Sequence, residues 1–123
     1  MANRNYNRYQ ALEKEVKTLF AKVAIGSTGA PTIDASKSLG IASITRTGAG
    51  AYEVTLQDKY MRLMHLDVHI QTPSAEDIKA HLIADNVAST AKFTFRCDTA
   101  GTATDPASGD SFLIRVDLKN SSI

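Results

Sequence analysis

The sequence predicts a mainly β domain, an antiparallel β-sandwich or small barrel carrying one N-terminal α-helix and an extended N-terminal arm. Three observations lead there. Apolar residues alternate with period two through most of the chain beyond residue 40, clusters of turn formers separate the alternating runs, and no strand–helix alternation of the kind that builds a parallel sheet is present. A chain of 123 residues buries roughly two-thirds of its unfolded surface on folding, enough for one core without metals or disulfides.

The arm comes first. Residues 1–8 hold Asn3, Asn5, Asn7, Arg4, Tyr6 and Arg8 with no apolar periodicity, which predicts a polar extended start that is ordered only by something outside the domain. From Tyr9 the pattern changes, because Tyr9, Leu12, Val16, Leu19 and Val23 recur at helical spacing with Phe20 beside them and Glu13, Lys14, Glu15 and Lys17 on the other faces. That stripe predicts a helix, too short for an autonomous coiled coil. It either packs on the domain's own sheet or docks on a neighbouring subunit. The helix gives way at Gly26, and 26–40, with Gly29, Pro31, Ser36, Ser38 and Gly40, reads as a turn-rich linker. The organisation is therefore arm and helix over 1–25, linker over 26–40 and β domain over 41–123, together one globular unit.

Within the β domain, 41–47 and 51–56 flank Gly48-Ala49-Gly50 as the arms of a hairpin. The run 61–71 alternates most cleanly, with Met64, Leu66, Val68 and Ile70 on one face and His65, Asp67, His69 and Gln71 on the other. Residues 76–84 fit a helix through Ile78, Leu82 and Ile83, or a strand through Ile78, Ala80, Leu82 and Ala84, and the strands on both sides favour the second. Phe93, Phe95 and Cys97 mark another strand, 98–110 is a long polar loop, and Phe112, Ile114, Val116 and Leu118 mark the last strand.

Composition narrows the function classes. Fourteen Lys and Arg against thirteen Asp and Glu leave a net charge of +1, so no bulk electrostatic drive toward nucleic acid or an anionic membrane exists. No run approaches the ~20 apolar residues of a membrane span, and no signal-peptide apolar run follows the start. The lone Cys97 excludes an internal disulfide and a Cys-rich zinc site, and reads as a small apolar filler in a strand. His65, Asp67 and His69 share one strand face and are the best metal candidates, but successive same-face positions lie nearly 7 Å apart and such sites usually need cross-strand ligands. A polar face toward solvent or a subunit is the expected reading. No nucleophile elbow, no phosphate loop and no carboxylate pair outside ordinary turn chemistry occurs, so no catalytic residue, metal or cofactor is assigned and the chain is expected not to be an enzyme.

Three stretches resemble small virion proteins of tailed bacteriophages. They are the opening Met1-Ala2-Asn3-Arg4-Asn5-Tyr6-Asn7-Arg8 with 10–17, the run Gly40-Ile41-Ala42-Ser43-Ile44-Thr45-Arg46-Thr47-Gly48 with 52–60, and Thr104-Asp105-Pro106-Ala107-Ser108-Gly109-Asp110 continued through 118–121. The resemblance implies a capsid decoration or cement protein on the outer head surface, commonly a homotrimer, whose partner is the major capsid protein. A tail-fibre, baseplate or receptor-binding component is the alternative. On this expectation Arg4, Tyr6, Arg8, Tyr9, Leu12, Val16 and Leu19 contact the capsid or sister subunits.

Overall fold

A computed structural model describes residues 16–120 of the chain. Nine strands in this range pair antiparallel throughout, in two sheets. The first contains β1 (Val16–Ile25), β2 (Pro31–Ile33), β5 (Arg62–Gln71) and β9 (Ser111–Lys119), in the order β2-β1-β9-β5. The second contains β3 (Ile41–Gly48), β4 (Ala51–Leu56), β6 (Lys79–Asn86) and β7 (Lys92–Thr99), in the order β3-β4-β7-β6, with β8 (Thr102–Ala103) added on β7. The chain is mainly β, as the alternation predicts, and its two sheets form a β-sandwich.

The core is the sum of the inward rows. Leu19, Ala21, Val23 and Ile25 on β1 and Phe112, Ile114, Val116 and Leu118 on β9 meet Tyr52, Val54 and Leu56 on β4 and Phe93, Phe95 and Cys97 on β7, all buried. Three rings lock the sheets together at its centre. Phe112 lies edge-on to Tyr52 and to Phe95, with centroids 5.0 and 5.1 Å away, the offset geometry that aromatic quadrupoles favour.

The expected helix over 9–25 is corrected where it can be followed, because Val16–Ile25 is a strand paired with β9 from Val16↔Lys119 to Ala24↔Ser111. Leu19 and Val23 suit a helical stripe, yet Leu19, Ala21, Val23 and Ile25 suit a strand equally. Pairing with β9 decides between them, since it satisfies the backbone and buries all four side chains together. The arm at 1–8 and the first part of that helix lie outside the described residues.

Residues 26–40, expected as a linker, hold single 3-10 turns at Ser27–Gly29 and Ala35–Lys37 and also β2, which pairs Val23↔Ile33 through Ile25↔Pro31. The glycine-bracketed hairpin joins β3 to β4, and its Gly50 has φ +68 with the Cys97 carbonyl oxygen standing where a Cβ would go, so any other residue there is strained. Residues 79–86 form a strand, and a single helical turn, α1 (Val87–Thr90), joins it to β7. One detail of β5 differs from the simple alternation. A bulge between Leu63 and His65 turns Met64 outward, 54% exposed, and gives its inward place to Leu63.

Candidate functional site

The outward face of the β2-β1-β9-β5 sheet brings together side chains that are distant in sequence. Register places Thr18, Asp117 and His65 in one cross-strand row, Phe20, Arg115 and Asp67 in the next, and Lys22, Leu113 and His69 in the third. An isolated bridge adds Leu39 beside Phe20, with Leu39 N donating to Phe20 O at 2.7 Å. The polar positions are partly tied down, since Thr18 Oγ1 donates to Asp117 Oδ1 at 2.6 Å and an Arg115 guanidinium nitrogen stands 3.6 Å from the other Asp117 oxygen.

The apolar positions of this face are not covered. Phe20, Leu39 and Leu113 are 51%, 67% and 39% exposed, and Phe20 and Leu113 floor a shallow depression of about 380 Å³ with Lys22, Lys37, His69 and Arg115 at its sides. Single exposed apolar side chains are ordinary, but three adjoining on one flat sheet face mark a surface suited to contact. Lys22, Lys37, Arg115 and Asp67 give it a polar rim of both signs, the usual arrangement around an apolar contact.

A second uncovered region lies at the opposite edge strands. The inward residues Leu63, Leu66, Val68 and Ile70 of β5 are only partly buried, whereas the inward row of β9 beside them is closed over completely. Met61, Met64, Leu82 and Ile83 stand exposed along the same side, and a groove of about 510 Å³ runs between Met61, Met64 and Asp85.

The expected site residues fall as follows. Val16 is exposed and lies on the outward side of β1 with Thr18 and Phe20, whereas Leu19 points the other way and is 6% exposed in the core. A strand separates the two residues that a helix would have aligned. Arg4, Tyr6, Arg8, Tyr9 and Leu12 lie outside the described residues.

The remaining chemistry-bearing groups are distributed as follows. His65, Asp67 and His69 do project from one face of β5, but their cross-strand neighbours are Asp117, Arg115 and Leu113, and among the described residues no group of three His, Cys, Asp or Glu is placed to hold a metal ion. Cys97 is fully buried, and burial pushes its thiol up to about 12, far from a nucleophilic thiolate. The tightest polar cluster sits at one end of the sandwich. Arg46 grips Asp105 through two nitrogens at 3.0 and 2.8 Å while Gly50 N donates to the same carboxylate at 2.7 Å, and the Arg46 hydrogen bond leads in holding Asp105 below its ordinary pKa. Nearby Tyr52 donates its buried hydroxyl to Gly29 O at 2.8 Å, and burial raises its pKa. These bonds fasten the 26–30 loop, the hairpin turn and the 104–106 loop to one another.

The fold and this surface define a class, a small antiparallel β-sandwich with an exposed apolar patch on one sheet face, bordered by charged side chains of both signs. Comparison with protein-family models, with curated proteins and with solved structures gave no match.

Proposed function

We propose that this chain is a non-enzymatic virion structural protein of the bacteriophage capsid-decoration kind, which binds the outer head shell and stabilises it. The observation that carries the reading is the uncovered face around Phe20, Leu39 and Leu113, a patch built for contact with another protein. The likeness of 1–17, 40–60 and 104–121 to small phage virion proteins supplies the particle. The major capsid protein is the proposed partner, and the protein acts as a homotrimer.

The physics of such a role is simple. A ligand that binds only the assembled shell adds its binding free energy to that state alone, so occupancy of many identical sites stiffens the particle by mass action. Symmetric oligomers engaging repeated sites gain further from multivalency, which offsets a modest affinity per contact. Arg4, Tyr6, Arg8, Tyr9, Leu12 and Val16 are proposed to extend this contact toward capsid or sister subunits, whereas Leu19, being in the core, is left out of it.

The test is light-scattering mass of the purified protein, followed by co-pelleting with expanded capsid shells of the parent phage. A trimer that pellets at saturable stoichiometry is expected, and Phe20→Ser with Leu113→Ser, both at exposed positions, should reduce pelleting while the domain stays folded. A chain that ignores shells but pellets with tails or fibres overturns the head assignment and favours a tail-fibre, baseplate or receptor-binding role.

A further inference from the structure

Each sheet ends in two outer strands, and among the described residues β2, β3 and β6 are blunted against further pairing while β5 is not. β2 is three residues long and begins with Pro31. β3 is interrupted by register shifts at Ile41/Ser43 and Arg46/Gly48, and β6 carries Lys79 and a shift between Leu82 and Ala84. Beyond its bulge, β5 pairs with β9 without a break from His65↔Asp117 to Gln71↔Ser111, and this straight stretch holds no Pro, Gly or Lys. No strand of the described residues lies on its outer side, so a row of backbone N–H and C=O groups faces outward there.

The side chains of the stretch are self-complementary. His65, Asp67, His69 and Gln71 are exposed on the outward face, and Leu66, Val68 and Ile70 on the inward face are only partly buried against the core. Directly opposed residues of an antiparallel pair share a face, so a two-fold axis through Val68 brings the whole straight stretch of one copy into register with that of another. Val68 then meets the partner's Val68, Leu66 meets the partner's Ile70, Asp67 meets the partner's His69 and His65 meets the partner's Gln71. A carboxylate thus faces an imidazole at two symmetric places, and the half-buried inward rows cover each other. Neighbouring registers fit worse. An axis through Asp67 sets that carboxylate against itself and His65 against the partner's His69, and an axis through Leu66 runs the pairing into the bulge between Leu63 and His65.

We propose that β5 is a self-pairing edge, to which a second copy of this chain adds antiparallel in the register centred on Val68. An unrelated extended peptide gains the same backbone bonds, but the copy also brings a histidine to each Asp67. The exposed Leu82 and Ile83 of β6, on the same side of the sandwich, border the seam. The axis stands perpendicular to the sheet, so the Phe20 and Leu113 faces of both copies look the same way. Pairing rests on the sheet edge and not on the proposed function. Within a homotrimer it links one trimer to the next, and it presents neighbouring contact faces to one surface, which adds to multivalency.

The experiment is sedimentation equilibrium of the full chain, without shells, over a rising concentration series. The wild-type mass should climb with concentration or stand already at an even number of chains. Asp67→Lys with His69→Lys makes the opposed outward positions all cationic, and His69→Asp makes them all anionic, in both cases at exposed positions. Each variant alone should dissociate about tenfold more readily, because like charges then meet at two symmetric places. An equimolar mixture of the two restores opposite charges and should recover wild-type association, which also shows that both variants are folded. A wild-type mass fixed at an odd number of chains overturns the proposal, as do variants that associate like the wild type or a mixture that associates no better than its components. Shells take no part in this measurement, so its failure is separate from a failure of the head-decoration reading, which the pelleting test decides.

Discussion

Tyr52 joins the two kinds of cohesion in this domain, because its ring sits at the centre of the aromatic trio while its hydroxyl reaches the Gly29 carbonyl. Tyr52→Phe keeps the ring and deletes the donor, which leaves the carbonyl of the buried Gly29 without its partner. The expected loss is about 1–3 kcal/mol, the range for an unsatisfied buried polar group, and a denaturant melt reads it directly. No change in midpoint would mean that water replaces the hydroxyl and that the tie is dispensable. This bond was not legible in the sequence, where Tyr52 shows only as an inward position of a strand. Its partner is 23 residues away, on a loop whose path no local pattern describes.

At the scale of elements, β1 gives the sharpest test of the architecture. A strand puts neighbouring residues on opposite faces, so Leu19→Ala opens the core and should cost about 2–5 kcal/mol, whereas Phe20→Ala, on the outward face, should stay within about 0.5 kcal/mol. Equal effects in urea unfolding would contradict the strand. The clean alternations at 51–56, 92–97 and 112–118 were readable because one face is wholly apolar and the other is not. Val16–Ile25 was not, since its apolar residues satisfy two periods and only pairing with β9, almost a hundred residues later, separates them. The contact face was hidden for a related reason. Alternation says that Phe20 and Leu113 each point away from Leu19 and Phe112, but not that they stand in adjacent rows, which is a matter of register.

For the whole molecule, protection should follow sheet position. β9 lies between β1 and β5, and β7 between β4 and β6, so both have hydrogen-bonded neighbours on two sides, whereas β2 lies at an edge and is three residues long. Hydrogen exchange should find the amides of β9 and β7 slowest and those of β2 fastest. Slow exchange confined to β3 and β4 would mean that the sheets open separately rather than as one sandwich. Cohesion across the sandwich rests on Phe112 against Tyr52 and Phe95, which couples the two sheets into one cooperative unit.

The interior position of β9 also orders events in time. Ribosomes deliver the chain from its N-terminus, and residues of the β3-β4-β7-β6 sheet have all been synthesised by Thr99, while β1 and β5 wait for a strand that begins at Ser111. During that interval β1 and β5 hold two long, unmatched apolar rows with nothing between them. A chain is thus most exposed to mispairing and to chaperones before β9 is available, and truncation ahead of Ser111 leaves half a sandwich, not a smaller one.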